Sequence, residues 1–136
     1  SKKLLTGKRL NAPAKGFYFV PGGRVRKNES IDQARSRLLK NELGFAVKST
    51  NNKDFFFLGI FEHFYTENFK GDKNFNTHYI VLAYLIPLNK LIKEKNNGNF
   101  EQHEEYLWFS TSSCDNQDIH PYTKMYLNLV NKRDLN

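Results

Sequence analysis

The pattern of apolar and polar positions predicts its clearest element between residues 30 and 44. Apolar residues there have the spacing of one buried helical face: Ile31, Ala34, Leu38 and Leu39. Ser30 and Gln33 are spaced as a capping box, so the helix is predicted to begin at Ile31 with Ser30 as its N-cap. Gly44 comes after the last periodic residue and predicts the C-terminal end of the helix.

Glu42 breaks this pattern. At about 100° per residue it falls on the same face, one turn beyond Leu38. A carboxylate there lies at the negative end of the helix dipole and points toward the apolar side. Either a nearby cation compensates the charge, or the last turn frays and water solvates the carboxylate. The pattern alone leaves both interpretations open.

Alternating segments predict strands at residues 54–65 and 77–87, with shorter strands at residues 16–20 and 105–110. Residues 1–10 read as the end of a strand and a turn, and residues 89–95 as one or two helical turns. A last helix is predicted from about Pro121 to Lys132, because proline suits a first helical turn. Strands that flank two helices predict an α/β fold with a mixed sheet packed between helices.

The composition fits a single domain. The chain has 136 residues, and its 12 Phe and 7 Tyr predict an aromatic-rich core. The single Cys114 excludes an intrachain disulfide and argues against a zinc site. No apolar run approaches the roughly 20 residues of a membrane span, and no signal peptide is visible. We therefore expect a cytoplasmic protein without a membrane partner.

The net charge of +7 predicts an anionic partner. Nucleic acid is one candidate, through the release of counterions from its phosphates. A small molecule that contains a diphosphate is the other. The lysines are scattered rather than gathered on one helical face, so charge alone does not choose between them.

One stretch narrows the choice because of its fixed spacing. Five residues separate Gly23 from Glu29 and seven separate Glu29 from Arg37, after which come Glu42, Gly44 and an apolar residue. This stretch resembles the Nudix box, Gly-x5-Glu-x7-Arg-Glu-apolar-x-Glu-Glu-x-Gly-apolar. Two positions depart from it, since leucine and asparagine replace two of the box glutamates: Leu38 and Asn41.

The same departures are typical of one branch, the GDP-mannose mannosyl hydrolases, in which the box arginine is followed by Leu-x-x-x-Glu-Leu-Gly. The resemblance to that branch covers nearly the whole chain. It includes GKR at residues 7–9, FVPGGRV at 19–25, HFY at 63–65, THY at 77–79 and QH at 102–103. It implies a single Nudix domain over residues 1–136, an α/β/α sandwich that lacks the N-terminal strand of the family.

The resemblance also implies a reaction. One magnesium ion would be held by the Gly22 carbonyl, Glu42 and Gln102, an oxygen-only ligand set that suits this metal. His103 would be the general base that activates water for attack on the anomeric carbon, with inversion. GDP-mannose, or alternatively GDP-glucose, would yield GDP and free sugar. The branch also implies a homodimer and makes nucleic acid an unexpected partner.

Arginines would stabilise the negative charge that develops on the departing diphosphate. Arg24 and Arg37 match the family residues for this role, and Arg37 could equally form a structural pair with Glu29. Further substrate contacts are implied for three residues: Arg9, His63 and Tyr79. Without the resemblance, Gln102 and His103 would be ordinary loop residues.

Two other functions stay open at this point. A conventional Nudix pyrophosphatase would cleave a nucleotide sugar, or a related nucleoside diphosphate, at phosphorus. A non-catalytic nucleotide-binding or RNA-binding Nudix module would use the positive charge and the aromatic residues, whose faces can stack on bases.

Overall fold

The computed structural model describes residues 2–11, 13–48, 54–66, 76–93, 103–112 and 115–133. Within these residues the strands are β1 (Lys3–Arg9), β2 (Tyr18–Phe19), β3 (Phe45–Val47), β4 (Phe56–Tyr65), β5 (Thr77–Leu85), β6 (Leu91–Lys93) and β7 (His103–Ser110). The helices are α1 (Ile31–Leu38) and α2 (Pro121–Lys132). The chain forms two compact units, one of Ser1–Pro21, Tyr65–Thr77 and Glu101–Asn136, the other of Gly22–Phe64 and His78–Phe100. The prediction of one domain over residues 1–136 stays a prediction.

In the first unit, β1 is the central strand of a three-stranded sheet in the order β2-β1-β7. Both pairings are antiparallel, with Gly7 facing Phe19 and Leu5 facing Trp108. The sequence predicted only a strand end within residues 1–10, whereas seven residues of this stretch form β1. The prediction was too short because the strand alternates apolar and polar residues only weakly.

Helix α2 has the bounds that the sequence predicted, with Pro121 in its first turn. His120 is its N-cap, and the His120 Nδ1 atom accepts a hydrogen bond from the Tyr122 N–H at 3.1 Å. Lys2 donates from Nζ to carbonyls at the other end of the helix, where a cation is favourable. The core of this unit consists of buried apolar side chains: Tyr18, Phe19, Ile119, Tyr126, Leu127 and Val130.

In the second unit, α1 begins as predicted. The Gln33 N–H donates to the Ser30 hydroxyl at 3.0 Å, and the Ser30 N–H donates to Gln33 Oε1 at 2.9 Å, which completes the capping box. The buried face differs from the prediction, because Ala34 is buried whereas Ile31 is 41% exposed. The first helical turn therefore lies further from the core than its apolar side chain suggests.

The end of this helix also differs from the prediction. The chain leaves the α conformation after Leu38 and forms a π-helical turn over Leu39–Leu43. Gly44 ends the turn with a left-handed φ of 70°, as expected for a helix stop, and its N–H reaches the Leu39 and Lys40 carbonyls. Glu42 lies within this turn and is buried, at 9% exposure, so the interpretation that water solvates it is wrong.

Two strand pairs complete the second unit. β3 pairs with β6 in antiparallel register, from Phe45 facing Lys93 to Val47 facing Leu91. This pairing corrects the helical turns predicted for residues 89–95, where a 3₁₀ turn at Leu88–Lys90 leads directly into β6. β4 pairs with β5, and these two strands fall within the two longest predicted strands.

Candidate functional site

A basic loop at residues 22–29 precedes α1, and Arg37 on the helix holds it in place. The Arg37 Nε donates to Glu29 Oε2 at 2.7 Å, and Nη2 donates to Glu29 Oε1 at 2.9 Å. The same Nη2 donates to the Arg24 carbonyl at 2.7 Å. Glu29 also accepts from the Arg26 N–H at 3.0 Å. The structural pair between Arg37 and Glu29, one of the two roles predicted for this arginine, is therefore present.

These contacts shift the pKa values of Glu29 and Arg37. Hydrogen bonds from Arg37, and then from the Arg26 backbone, lower the pKa of Glu29 from 4.5 to about 2. The hydrogen bond to Glu29 is also the largest cause that raises the pKa of Arg37, and the charge of Glu42 acts in the same direction. Both groups of the pair are thus charged at neutral pH.

Arg24 leaves the same loop with its side chain exposed to solvent. Its Nη2 donates to the Tyr79 hydroxyl on β5 at 3.4 Å, and its guanidinium lies 5.9 Å from the centre of the Tyr79 ring. A planar guanidinium in this position keeps further N–H donors for the bidentate binding of a phosphate. Two residues predicted to contact the substrate therefore meet within the second unit.

Gly23 of the loop lies against the side chain of Leu38. Neither Gly22 nor Gly23 has a left-handed φ. A Cβ atom on Gly23 would collide with the Leu38 side chain, whereas one on Gly22 would meet nothing. Leucine thus packs against the loop at the position where the Nudix box usually has a glutamate.

Glu42 is one helical turn beyond Leu38 and is the buried carboxylate of this helix end. Its negative charge interacts with Arg37, and among the described residues its Oε2 atom accepts no hydrogen bond. A buried carboxylate oxygen and a backbone carbonyl at Gly22 are ligands that suit magnesium. The ligand types in this unit therefore fit the predicted metal. The third predicted ligand, Gln102, lies outside the described residues.

In the first unit, Arg9 and His103 are opposite each other in the register of the β1–β7 pair. The register shifts between Gly7 and Arg9, and the Arg9 Nε donates to the Pro13 carbonyl at 3.2 Å. His103 is the first residue of β7, which corrects the prediction that it lies in a loop and that the strand begins near residue 105. Pairing with β1 extends the strand to this residue.

The remaining predicted residue, His63, lies on β4 and is only 3% exposed. The second unit thus brings Arg24, Arg37 and Tyr79 together, and the first pairs Arg9 with His103 in its sheet. The packing of Leu38 on Gly23 was missed by the sequence reasoning. Its signal was a leucine in place of a box glutamate combined with a glycine pair at the start of the same motif.

Comparison with known proteins identifies the family of this chain. The sequence profile of the NUDIX domain matches residues 1–127. The low-salt glycan biosynthesis protein Agl8 of Haloferax volcanii is 33% identical over 128 residues, which cover 93% of this chain and 73% of that protein. The crystal structure of a MutT NUDIX hydrolase from Burkholderia pseudomallei superposes with a TM-score of 0.70 at 25% identity, covering 94% of this chain and 88% of the other.

The predicted α/β Nudix fold is thereby confirmed. Neither α1 nor α2, nor any other helix in the described part of the chain, has the length and apolar character needed to cross a membrane.

Proposed function

Because the chain belongs to the NUDIX domain family of hydrolases, we propose that it hydrolyses GDP-mannose, or GDP-glucose, to GDP and the free sugar in a magnesium-dependent reaction. Water attacks the anomeric carbon, and the configuration at that carbon inverts. The similarity to Agl8, a glycan biosynthesis protein by name, supports a sugar-related substrate.

The observation that carries this proposal is the contact between Leu38 and Gly23. Attack at phosphorus in a conventional Nudix box relies on several glutamates that hold a cluster of metal ions beside the phosphates. Here the first of those positions is an apolar side chain packed on the loop, and Asn41 is exposed at another. Of the glutamates that would form that cluster Glu42 remains, which favours a single metal ion and a reaction at carbon.

Cleavage at carbon suits this set of residues because the leaving group is a nucleoside diphosphate. A sugar oxygen bonded to phosphorus leaves without the general acid that an ordinary inverting glycosidase needs. The negative charge that appears on the diphosphate needs cations instead. Arg24, exposed and held at Tyr79, supplies one, and Arg37 fixes the loop that carries it.

The metal would be held by the Gly22 carbonyl, Glu42 and Gln102, and when bound it would offset part of the same charge. His103 takes a proton from the attacking water as the oxygen bonds to the anomeric carbon. The bond between that carbon and the β-phosphate oxygen breaks, and its electron pair leaves with GDP. Arg9, opposite His103 in the strand register, would contribute a further positive charge toward the substrate.

Product analysis in ¹⁸O-labelled water tests the proposal. Incubation of GDP-mannose with the protein and Mg²⁺ should give GDP and mannose, with the label in the sugar and none in the nucleotide. His103→Gln should reduce the rate by about 10²–10⁴-fold, the usual contribution of a general base. His78→Gln, which changes an exposed histidine on β5, should leave the rate unchanged.

Label in GMP or in mannose 1-phosphate would contradict attack at carbon and would establish the conventional pyrophosphatase reaction. Turnover that survives in His103→Gln would remove this residue as the base. Salt-dependent binding of RNA, with no turnover of either nucleotide sugar, would instead favour the binding module.

A further inference from the structure

Arg35 is a cation on α1 whose side chain is mostly buried, at a position where the helix pattern offers no reason for a charge. Its side chain is only 14% exposed, and it lies next to Ala34, the buried residue of the helix. Asp32, one turn earlier, is its ion-pair partner and is largely exposed. The Nε atom of Arg35 is buried without a hydrogen-bond partner among the described residues. Hydrogen bonding alone therefore does not explain this burial.

Two aromatic rings surround the guanidinium. Its central carbon lies 4.4 Å from the centre of the Phe55 ring and 4.4 Å from the centre of the Tyr84 ring. The two rings are nearly perpendicular, at 88°, and Phe57 packs on Tyr84 with ring centres 5.2 Å apart. Contact of a desolvated cation with ring faces is strongly attractive. Arg35 thus attaches α1 to the β4–β5 pair.

The attachment joins elements that also meet at the basic loop. Arg37, two residues further along α1, holds the Arg24 carbonyl, and the Arg24 side chain contacts Tyr79. Tyr79 and Tyr84 lie on the same strand, five residues apart. Helix α1 is therefore connected to β5 twice, directly through Arg35 and indirectly through the loop. The direct contact and the loop therefore act on the same helix and the same strand.

We propose that Arg35 is a positioning residue, which fixes α1 against the β4–β5 pair so that Arg37 and Tyr79 hold the loop at residues 22–29 in one conformation. The function of that loop in binding a diphosphate rests on the proposed function, but its ordering by Arg35 does not. The inference can therefore be tested on the ligand-free protein.

Hydrogen exchange at single amides gives the test. The Arg26 N–H donates to Glu29 Oε1 and the Glu29 N–H donates to the Arg26 carbonyl, so both report the order of the loop. The Ala34 N–H donates to the Ser30 carbonyl and reports α1 itself. In Arg35→Ala, the exchange rates of the Arg26 and Glu29 amides should rise about tenfold or more. The Ala34 amide should keep most of its protection from exchange.

Variants at Tyr84, together with Arg35→Lys, separate positioning from simple packing. Tyr84→Leu, which removes the ring, should reproduce the effect of Arg35→Ala, whereas Tyr84→Phe should behave as the wild type. Arg35→Lys keeps the positive charge, and the exchange rates of the Arg26 and Glu29 amides should rise by an intermediate amount. Lys93→Ala removes an exposed cation from β6 and should leave the exchange rates of these amides unchanged.

Unchanged exchange at Arg26 and Glu29 in Arg35→Ala would overturn the proposal. An equal loss of protection in the loop and at Ala34 would overturn it as well, because Arg35 would then only stabilise the helix. Turnover of GDP-mannose by the wild type is measured separately, so a failure of the proposed function is distinguished from a failure of this inference.

Discussion

At the scale of single residues, the pair of Glu29 and Arg37 makes the stability of the folded chain depend on pH. Hydrogen bonds from Arg37 and the Arg26 backbone lower the pKa of Glu29 to about 2 in the folded protein, against 4.5 when unperturbed. The unfolded chain therefore binds more protons between these pH values. The stabilisation is complete above about pH 4.5 and is lost as the pH falls toward 2.

We expect Glu29→Gln to be less stable than the wild type at pH 7, and the difference in free energy of unfolding to shrink steadily below about pH 5. Urea denaturation at a series of pH values measures it. Asp115→Asn removes an exposed carboxylate elsewhere and serves as the control. A difference between wild type and Glu29→Gln that stays constant down to pH 3 would contradict the lowered pKa.

At the scale of elements, α2 depends on a neutral histidine at its N-terminus. The His120 Nδ1 atom accepts the Tyr122 N–H, which it can do only without a proton on that nitrogen. The ring lies among other aromatic rings, with ring centres 5.3 Å from Phe17 and 5.0 Å from Phe19. Burial among these groups lowers the pKa of His120 below 6.5.

Because the unfolded chain takes up this proton at higher pH than the folded one, the folded protein should lose stability as the pH falls below about 6.5. His120→Asn keeps a capping side chain that does not titrate. We expect the Tm values of the wild type and His120→Asn, measured by thermal unfolding, to converge or cross as the pH falls from 7.5 to 5.5. The Tm of the wild type should fall more than that of the variant. Parallel curves for the two proteins would show that the cap does not depend on the charge of His120.

At the scale of the whole molecule, ligand binding should raise stability by mass action. If Glu42 contributes to a magnesium site beside the diphosphate, Mg²⁺ with GDP at 100 times the dissociation constant should add about 2.7 kcal/mol and raise the Tm. Glu42→Gln should lose most of this increase. Glu62→Gln, an exposed carboxylate on β4, should keep it, and an equal increase in all three proteins would argue against a metal site at Glu42.

The sequence predicted the parts of the fold whose signals are local. Ser30, Gln33 and Gly44 mark the ends of one helical segment by side-chain caps and backbone freedom, and Pro121 marks the start of the other. The pairing of β3 with β6 was missed, because three residues are too few for a periodic pattern and the two partners lie more than forty residues apart in the chain.

The candidate site was predicted by motif rather than by geometry. Spacing and resemblance selected Arg24, Arg37, Tyr79 and Glu42, but they did not predict that the first three are linked by hydrogen bonds. Arg35 was missed because a charged residue beside an apolar helical face reads as solvent-exposed. Its burial depends on aromatic side chains from another segment of the chain, which no local pattern encodes.

The π-helical turn at Leu39–Leu43 also constrains how this part of the chain can evolve. A π turn holds one residue more than an α-helix needs to connect the same ends, as if a single residue had been inserted. A deletion between Leu38 and Glu42 would allow a regular α-helix to connect the same ends up to Gly44, but it would leave two residues between Leu38 and Glu42 instead of three. The Glu42 carboxylate would then lie at a different angle around the helix axis relative to Leu38. Homologous sequences that retain this carboxylate should therefore vary in amino-acid identity across residues 39–43 far more freely than in length.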